Sequence, residues 1–98
     1  MLAYRRTWHI KFGCMDQARE LAQEAVDVWK ERGLTGRAYS SYVSPVDVIV
    51  WEENWESEAD HDEAWAELRD SPEARGWFPR WYEVVERGGV QEIWRLQA

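Results

Sequence analysis

The sequence is poor in cysteine, in long apolar runs and in dedicated cofactor motifs, and each shortage excludes something. Cys14 is the only cysteine, so no intramolecular disulfide can form, and without a second thiol it makes a weak metal site; a reduced thiol is expected. No stretch approaches the roughly 18 consecutive apolar residues of a membrane span. The opening MLAYRRTWHIKF sets its arginines inside an alternating pattern and lacks the basic, apolar, small-residue order of a secretory signal. A cytoplasmic location with no membrane partner is therefore expected. There is no P-loop, Gly-rich dinucleotide turn, serine elbow or pair of zinc half-sites, so no nucleotide, metal or other cofactor is expected. No repeat, linker or low-complexity segment divides the chain, and residues 1–98 are taken as a single domain.

Basic residues are also scarce: 12 Lys and Arg stand against 19 Asp and Glu, for a net charge of −7. Ten of the acids fall within residues 52–73, where Arg69 is the only basic residue. Nucleic acid is excluded as a partner, because binding it rests on neutralising phosphates with Lys and Arg. What the sequence has in excess is tryptophan, eight residues of it. Each is a large apolar body with one N–H to satisfy, suited to cores, interfaces and the walls of aromatic-binding pockets. A chain this small leaves much apolar surface exposed unless it associates.

Periodicity then places the elements. Tyr4 to Phe12 alternates, with Tyr4, Arg6, Trp8, Ile10 and Phe12 on one side and Arg5, Thr7, His9 and Lys11 on the other, the period of a half-buried strand ending at Gly13. From Met15 to Arg32, Ala18, Leu21, Ala22, Ala25, Val28 and Trp29 recur at helical spacing, and Gly33 supplies the stop. RAYSSYV suits a strand, Ser-Pro-Val-Asp around Pro45 a turn, and VIVWEENW a second strand antiparallel to the first. In that second strand Ile49, Trp51, Glu53 and Trp55 share one face. Ser57-Glu58-Ala59-Asp60 resembles a capping box opening a helix from about Glu58 to Arg69, which buries Ala64, Trp65 and Leu68. Ser71-Pro72-Glu73 starts another helix. Its stripe of Ala74, Trp77, Phe78, Trp81 and Val84 or Val85 is interrupted by Pro79, and after Gly88-Gly89 VQEIWRLQ forms a last strand. Strand, helix, strand, strand, helix, strand with right-handed crossovers makes an α+β, ferredoxin-like βαββαβ fold: a four-stranded antiparallel sheet with its helices on one face. Nothing in the chain covers the other face, for which a second copy is the simplest partner.

The residues also carry a resemblance. Arg6-Thr7-Trp8-His9-Ile10-Lys11-Phe12-Gly13 resembles the first strand of NIPSNAP-like proteins, where an Arg-Thr-aromatic-Thr-aliphatic-Lys-Pro-Gly run leads into the first helix. Trp51-Glu52 through Ser57, then Trp65 and Ser71-Pro72-Glu73, resembles the same family's later stretch, in which a Trp-bearing strand precedes a serine-capped helix. That family belongs to the dimeric α/β-barrel superfamily, with antibiotic-biosynthesis monooxygenases, muconolactone isomerases and haem-degrading enzymes. The resemblance implies a homodimer in which two ferredoxin-like chains set their sheets face to face, with a pocket in each subunit between its sheet and its helices or within the barrel. It carries over no catalytic set. Haem-degrading members use an Asn on the first strand with Trp and His on the second helix. Here Asn54 is the only Asn and His61 precedes Trp65.

Several constellations could bear chemistry. Asp60-His61-Asp62 offers metal-ligand types, but consecutive helical residues point about a hundred degrees apart and cannot converge on one ion. An exposed helix start with acids answering the dipole explains them better. His9 shares a strand face with Arg5, Thr7 and Lys11 and is the candidate catalytic base if that face looks into a barrel; otherwise it faces solvent. Arg6 beside Trp8 and Tyr39 could hold an anionic aromatic ligand, or could pair with Glu53 or Glu92 across the sheet. Trp29, Trp65, Trp77 and Trp81 follow helical stripes and are assigned to the core, whereas Trp8, Trp51, Trp55 and Trp94 lie on strands. The expected ligand-binding set is Arg6, Trp8, Tyr39, Trp51, Trp55 and Trp65. Taken with the resemblance, which implies a homodimer and, for an enzyme, a cofactor-independent monooxygenase or isomerase, these residues point to binding of a small apolar or aromatic molecule. The competing reading is a non-catalytic interaction dimer whose tryptophans are all core and interface.

Overall fold

A computed structural model describes residues 1–43 and 45–97. The elements run β1 (Leu2–His9), α1 (Met15–Glu31), β2 (Gly36–Ser40), β3 (Val48–Trp55), α2 (Glu58–Arg69), α3 (Pro72–Val84) and β4 (Val90–Arg95). The strands form one sheet in the order β2-β3-β1-β4, with every neighbouring pair antiparallel. This is the expected ferredoxin-like α+β architecture.

Local chemistry explains each turn into and out of the helices. The buried residues of α1 are Ala18, Ala22, Ala25 and Trp29, spaced to share one face, and three small side chains let the helix lie close to its neighbours. Gly33 ends it at φ +83°, with its N–H donating to the Lys30 carbonyl at 3.0 Å. Few residues other than glycine adopt that left-handed geometry. Ser57 caps α2 by accepting the Asp60 N–H at 3.1 Å. Ser71 caps α3 by accepting the Ala74 N–H at 3.2 Å, with Pro72 in the first turn. An Arg32–Glu73 ion pair at 2.6 Å ties the end of α1 to the start of α3.

The core lies between the helices and one face of the sheet. Trp29, Leu34, Leu68, Trp77 and Trp81 are buried there with Ile49, and Trp8, Trp51, Trp55 and Trp65 pack against them. Trp77 stacks on Trp81 at 5.1 Å between ring centroids, and its indole N–H donates to the Leu21 carbonyl of α1 at 2.8 Å. Each such buried aromatic contributes about 3–5 kcal/mol when judged by truncation to alanine.

Two stretches differ from the pattern expected of them. β1 stops at His9, leaving Phe12 96% exposed rather than on the buried side. The chain leaves the sheet there because Ile10 bonds sideways, its N–H to the Asp47 carbonyl, and bridges to Val85. β2 ends at Ser40, where Ser41 accepts the Val48 N–H through its hydroxyl, and Tyr42 and Val43 are exposed. Strand propensity alone did not extend β2, since no backbone among the described residues pairs with them. The turn expected around Pro45 includes Ser44, which lies outside the described residues.

Candidate functional site

Sheet and helices do not close on each other completely. Between them lies a partly enclosed cavity of about 900 Å³ whose wall includes Trp8, Trp29, Trp51, Trp65, Trp77 and Trp81. That volume is in the range of small-molecule pockets. Strand alternation sends Tyr4, Arg6 and Trp8 of β1 and Ile49, Trp51 and Glu53 of β3 toward this space.

At one end a carboxylate is buried. Glu53 is 1% exposed, and it accepts indole N–H bonds from Trp51 at 2.8 Å, Trp55 at 2.9 Å and Trp65. The His61 Nε2 stands 3.4 Å from the same oxygen that takes Trp55 and Trp65. An isolated buried carboxylate is expensive; here three aligned dipoles and an imidazole replace the water it has lost. Trp51, Glu53 and Trp55 sit at i, i+2 and i+4 of one strand, so they share a face, and α2 turns back to bring in His61 and Trp65. The His61 ring stacks on Tyr4 with centroids 3.8 Å apart, and its Nδ1 lies 2.9 Å from the Asp62 carboxylate. The Tyr4 phenol is pushed above its ordinary pKa, first by burial and then by the negative charges of Glu58, Asp62 and Glu53.

Toward the other end the polar atoms are donors. The Arg6 guanidinium lies 4.1 Å above the Trp8 ring and reaches Gln91 Oε1 and the Gly88 carbonyl, each at 3.3 Å. Trp8 meets Trp81 edge to face, with centroids 5.7 Å apart. Among the described residues two buried side-chain polar atoms lack a hydrogen-bond partner, Arg6 Nε and Trp81 Nε1. An unsatisfied buried donor costs about 1–3 kcal/mol, and both belong to residues of the cavity wall.

The expected ligand-binding residues divide accordingly. Arg6, Trp8, Trp51 and Trp65 are brought together around the cavity. Trp55 lies behind Glu53, beside a shallower acidic groove with Asn54 and Glu56. Tyr39 pairs opposite Val50 on the outer face of the sheet, away from Arg6. His9, the candidate base, is exposed at the end of β1 on that same outer face, outside the cavity wall. Arg6 pairs with neither Glu53 nor Glu92, because indoles occupy Glu53 and Glu92 sits opposite Arg5. His61, expected at an exposed helix start, is instead half-buried against Tyr4, because α2 folds its first turn onto the sheet. Its two neighbouring carboxylates lie at opposite ring nitrogens, so they do not converge on a common ion.

The strand order and the cavity beneath the sheet define the class, a ferredoxin-like α+β fold, and solved structures share it over nearly the full chain. A NIPSNAP domain protein from Burkholderia xenovorans superposes with a TM-score of 0.86 at 14% identity, covering 100% of this chain and 96% of that one. A NIPSNAP family protein from Agrobacterium tumefaciens gives 0.84 at 16% identity, over 98% and 92% of the two chains. An antibiotic biosynthesis monooxygenase gives 0.76 at 17% identity, over the whole of both. The fold is thus the one the strand and corner motifs resembled. No protein-family model and no curated protein matches the sequence.

Proposed function

We propose that the chain works as a cytoplasmic homodimer that binds a small apolar or aromatic molecule in the cavity between its sheet and its helices. The observation that carries this reading is the 900 Å³ cavity itself, walled by six indoles in a chain of 98 residues. A purely structural use of those rings would fill the space, as close-packed cores do. Indole walls suit planar apolar ligands, which stack on them with little loss of side-chain freedom.

Binding is better supported than catalysis. A cofactor-independent oxygenase or isomerase, the enzyme version suggested by the likeness to an antibiotic biosynthesis monooxygenase, needs a free base within hydrogen-bond reach of the ligand. His9 lies on the opposite face of the sheet. His61 lines the cavity, but each of its ring nitrogens faces a carboxylate. Calorimetric titration with 1-naphthamide, a neutral planar aromatic, tests the binding reading: saturable uptake of one molecule per chain is expected. No heat of binding up to millimolar ligand would overturn it.

A further inference from the structure

Accepting that the cavity binds a small planar molecule, we infer that it selects one bearing an anionic oxygen group, such as a carboxylate, which it holds between Arg6 and Trp81 beside the Trp8 ring. The charge of the wall points this way. The chain carries −7, yet the residues around the cavity include Arg6, Arg69, Arg75 and Arg87, besides Arg5 whose guanidinium turns to the outer face, against two acids, Glu53 and Glu86. A positive recess in a negative protein draws small anions to itself.

Glu53 does not cancel this field at the Arg6 end, because three indole N–H groups and His61 already surround it. Of the other arginines of the wall, Arg75 holds Asp70 at 2.8 Å and Arg69 lies 5.6 Å from the Trp65 ring centroid. Among the described residues Arg6 bonds only neutral acceptors, at 3.3 Å. A guanidinium packed on an indole without a counter-ion is incomplete. The buried polar atoms left without partners among the described residues, Arg6 Nε and Trp81 Nε1, are both donors, and Trp81 is 2% exposed. Trp8 joins them, lying under the guanidinium and perpendicular to the Trp81 ring. A planar carboxylate is the group whose oxygens accept from a guanidinium and an indole together.

The test compares 1-naphthoate with 1-naphthamide, alike in shape and different in charge, by calorimetry on the full chain, the Arg6→Gln and Trp81→Phe variants, and a Lys11→Gln control that removes an exposed charge elsewhere. We expect naphthoate to bind wild type about tenfold more tightly than naphthamide, as charge-assisted bonds do. Arg6→Gln should erase that preference while leaving naphthamide unaffected, Trp81→Phe should reduce it, and Lys11→Gln should preserve it. Equal affinity for the two ligands in wild type would overturn the anion inference and leave the binding reading standing. Failure of both to bind would overturn the binding reading itself. A preference lost equally in Lys11→Gln would reduce Arg6 to one charge among many and overturn its assignment. Should Arg6→Gln prove unfolded by circular dichroism, the salt dependence of naphthoate binding to wild type decides, a preference insensitive to salt counting against the inference.

Discussion

Glu53 of β3 and His61 of α2 meet across the corner where the strand gives way to the helix, imidazole Nε2 to carboxylate oxygen at 3.4 Å. With three indole N–H groups on the same carboxylate, this contact fastens α2 to the sheet at the point where the cavity wall begins. Glu53→Gln keeps the shape but turns one acceptor oxygen into a donor, which must then face an indole N–H. The two donors repel, and at least one indole loses its partner. We expect a loss of about 2–4 kcal/mol in urea unfolding, within the range for buried charged bonds. A change within half a kcal/mol would mean that the carboxylate is not holding the indoles.

Gly36 tests the same cluster from the neighbouring strand. A β-carbon at this position would overlap the six-membered ring of Trp51. Gly36→Ala must therefore push the indole aside and away from Glu53, at an expected cost of about 1–3 kcal/mol. The near-ultraviolet circular dichroism should change with it, since Trp51 loses its fixed setting. An unchanged spectrum and an unchanged unfolding midpoint would show that the ring does not rest there.

Much of this was legible in the sequence. The period of two in β1 and β3 placed Tyr4, Arg6 and Trp8, and Trp51, Glu53 and Trp55, on shared faces, and the serine caps at Ser57 and Ser71 located both helix starts. The Glu53 cluster was not foreseen, although its signal is present as Trp-x-Glu-x-Trp, an acid between two donors on one face. Recognising it requires knowing that the face is buried, which depends on how α2 packs. His61 escaped for the same reason: a run of acids at a helix start suggests solvent until the helix is laid on Tyr4. Phe12 and Tyr42 show the converse error, strand-forming residues that pair with no strand among the described residues and stand exposed.

Glu52 gives a pH dependence on the outer face. It bridges Arg5 at 2.7 Å and Arg37 at 2.8 Å, and hydrogen bonds from Arg37 and then Arg5 hold its carboxyl below the ordinary glutamate range. A depressed carboxyl stabilises the fold above its unfolded pKa, and that contribution drains away as pH falls toward the lower folded value. Unfolding free energy should therefore decline on acidification from the ordinary glutamate range downward. Glu52→Gln should be less stable at neutral pH and flatter through that window. If the variant's acid limb is as steep as that of wild type, the bridge adds nothing there.

The outer face supplies the test of assembly. Trp94 is 56% exposed on β4, directly opposite Ala3 of β1, on the side of the sheet that carries Tyr39, Val50 and the Arg5–Glu52–Arg37 bridge. A large indole left half in water on an uncovered sheet is the kind of anchor that dominates interfaces. Static light scattering of wild type at micromolar concentration should give twice the chain mass. Trp94→Asp should weaken association about thirtyfold or more, the effect of losing ~2 kcal/mol at an interface anchor. It should do so without altering the far-ultraviolet spectrum, because Trp94 is no part of the buried core. Tyr82→Asp, on the exposed side of α3, should leave the mass unchanged. Should wild type scatter as a monomer, the face is not a homodimer surface; should Tyr82→Asp dissociate it while Trp94→Asp does not, the copies meet through their helices instead.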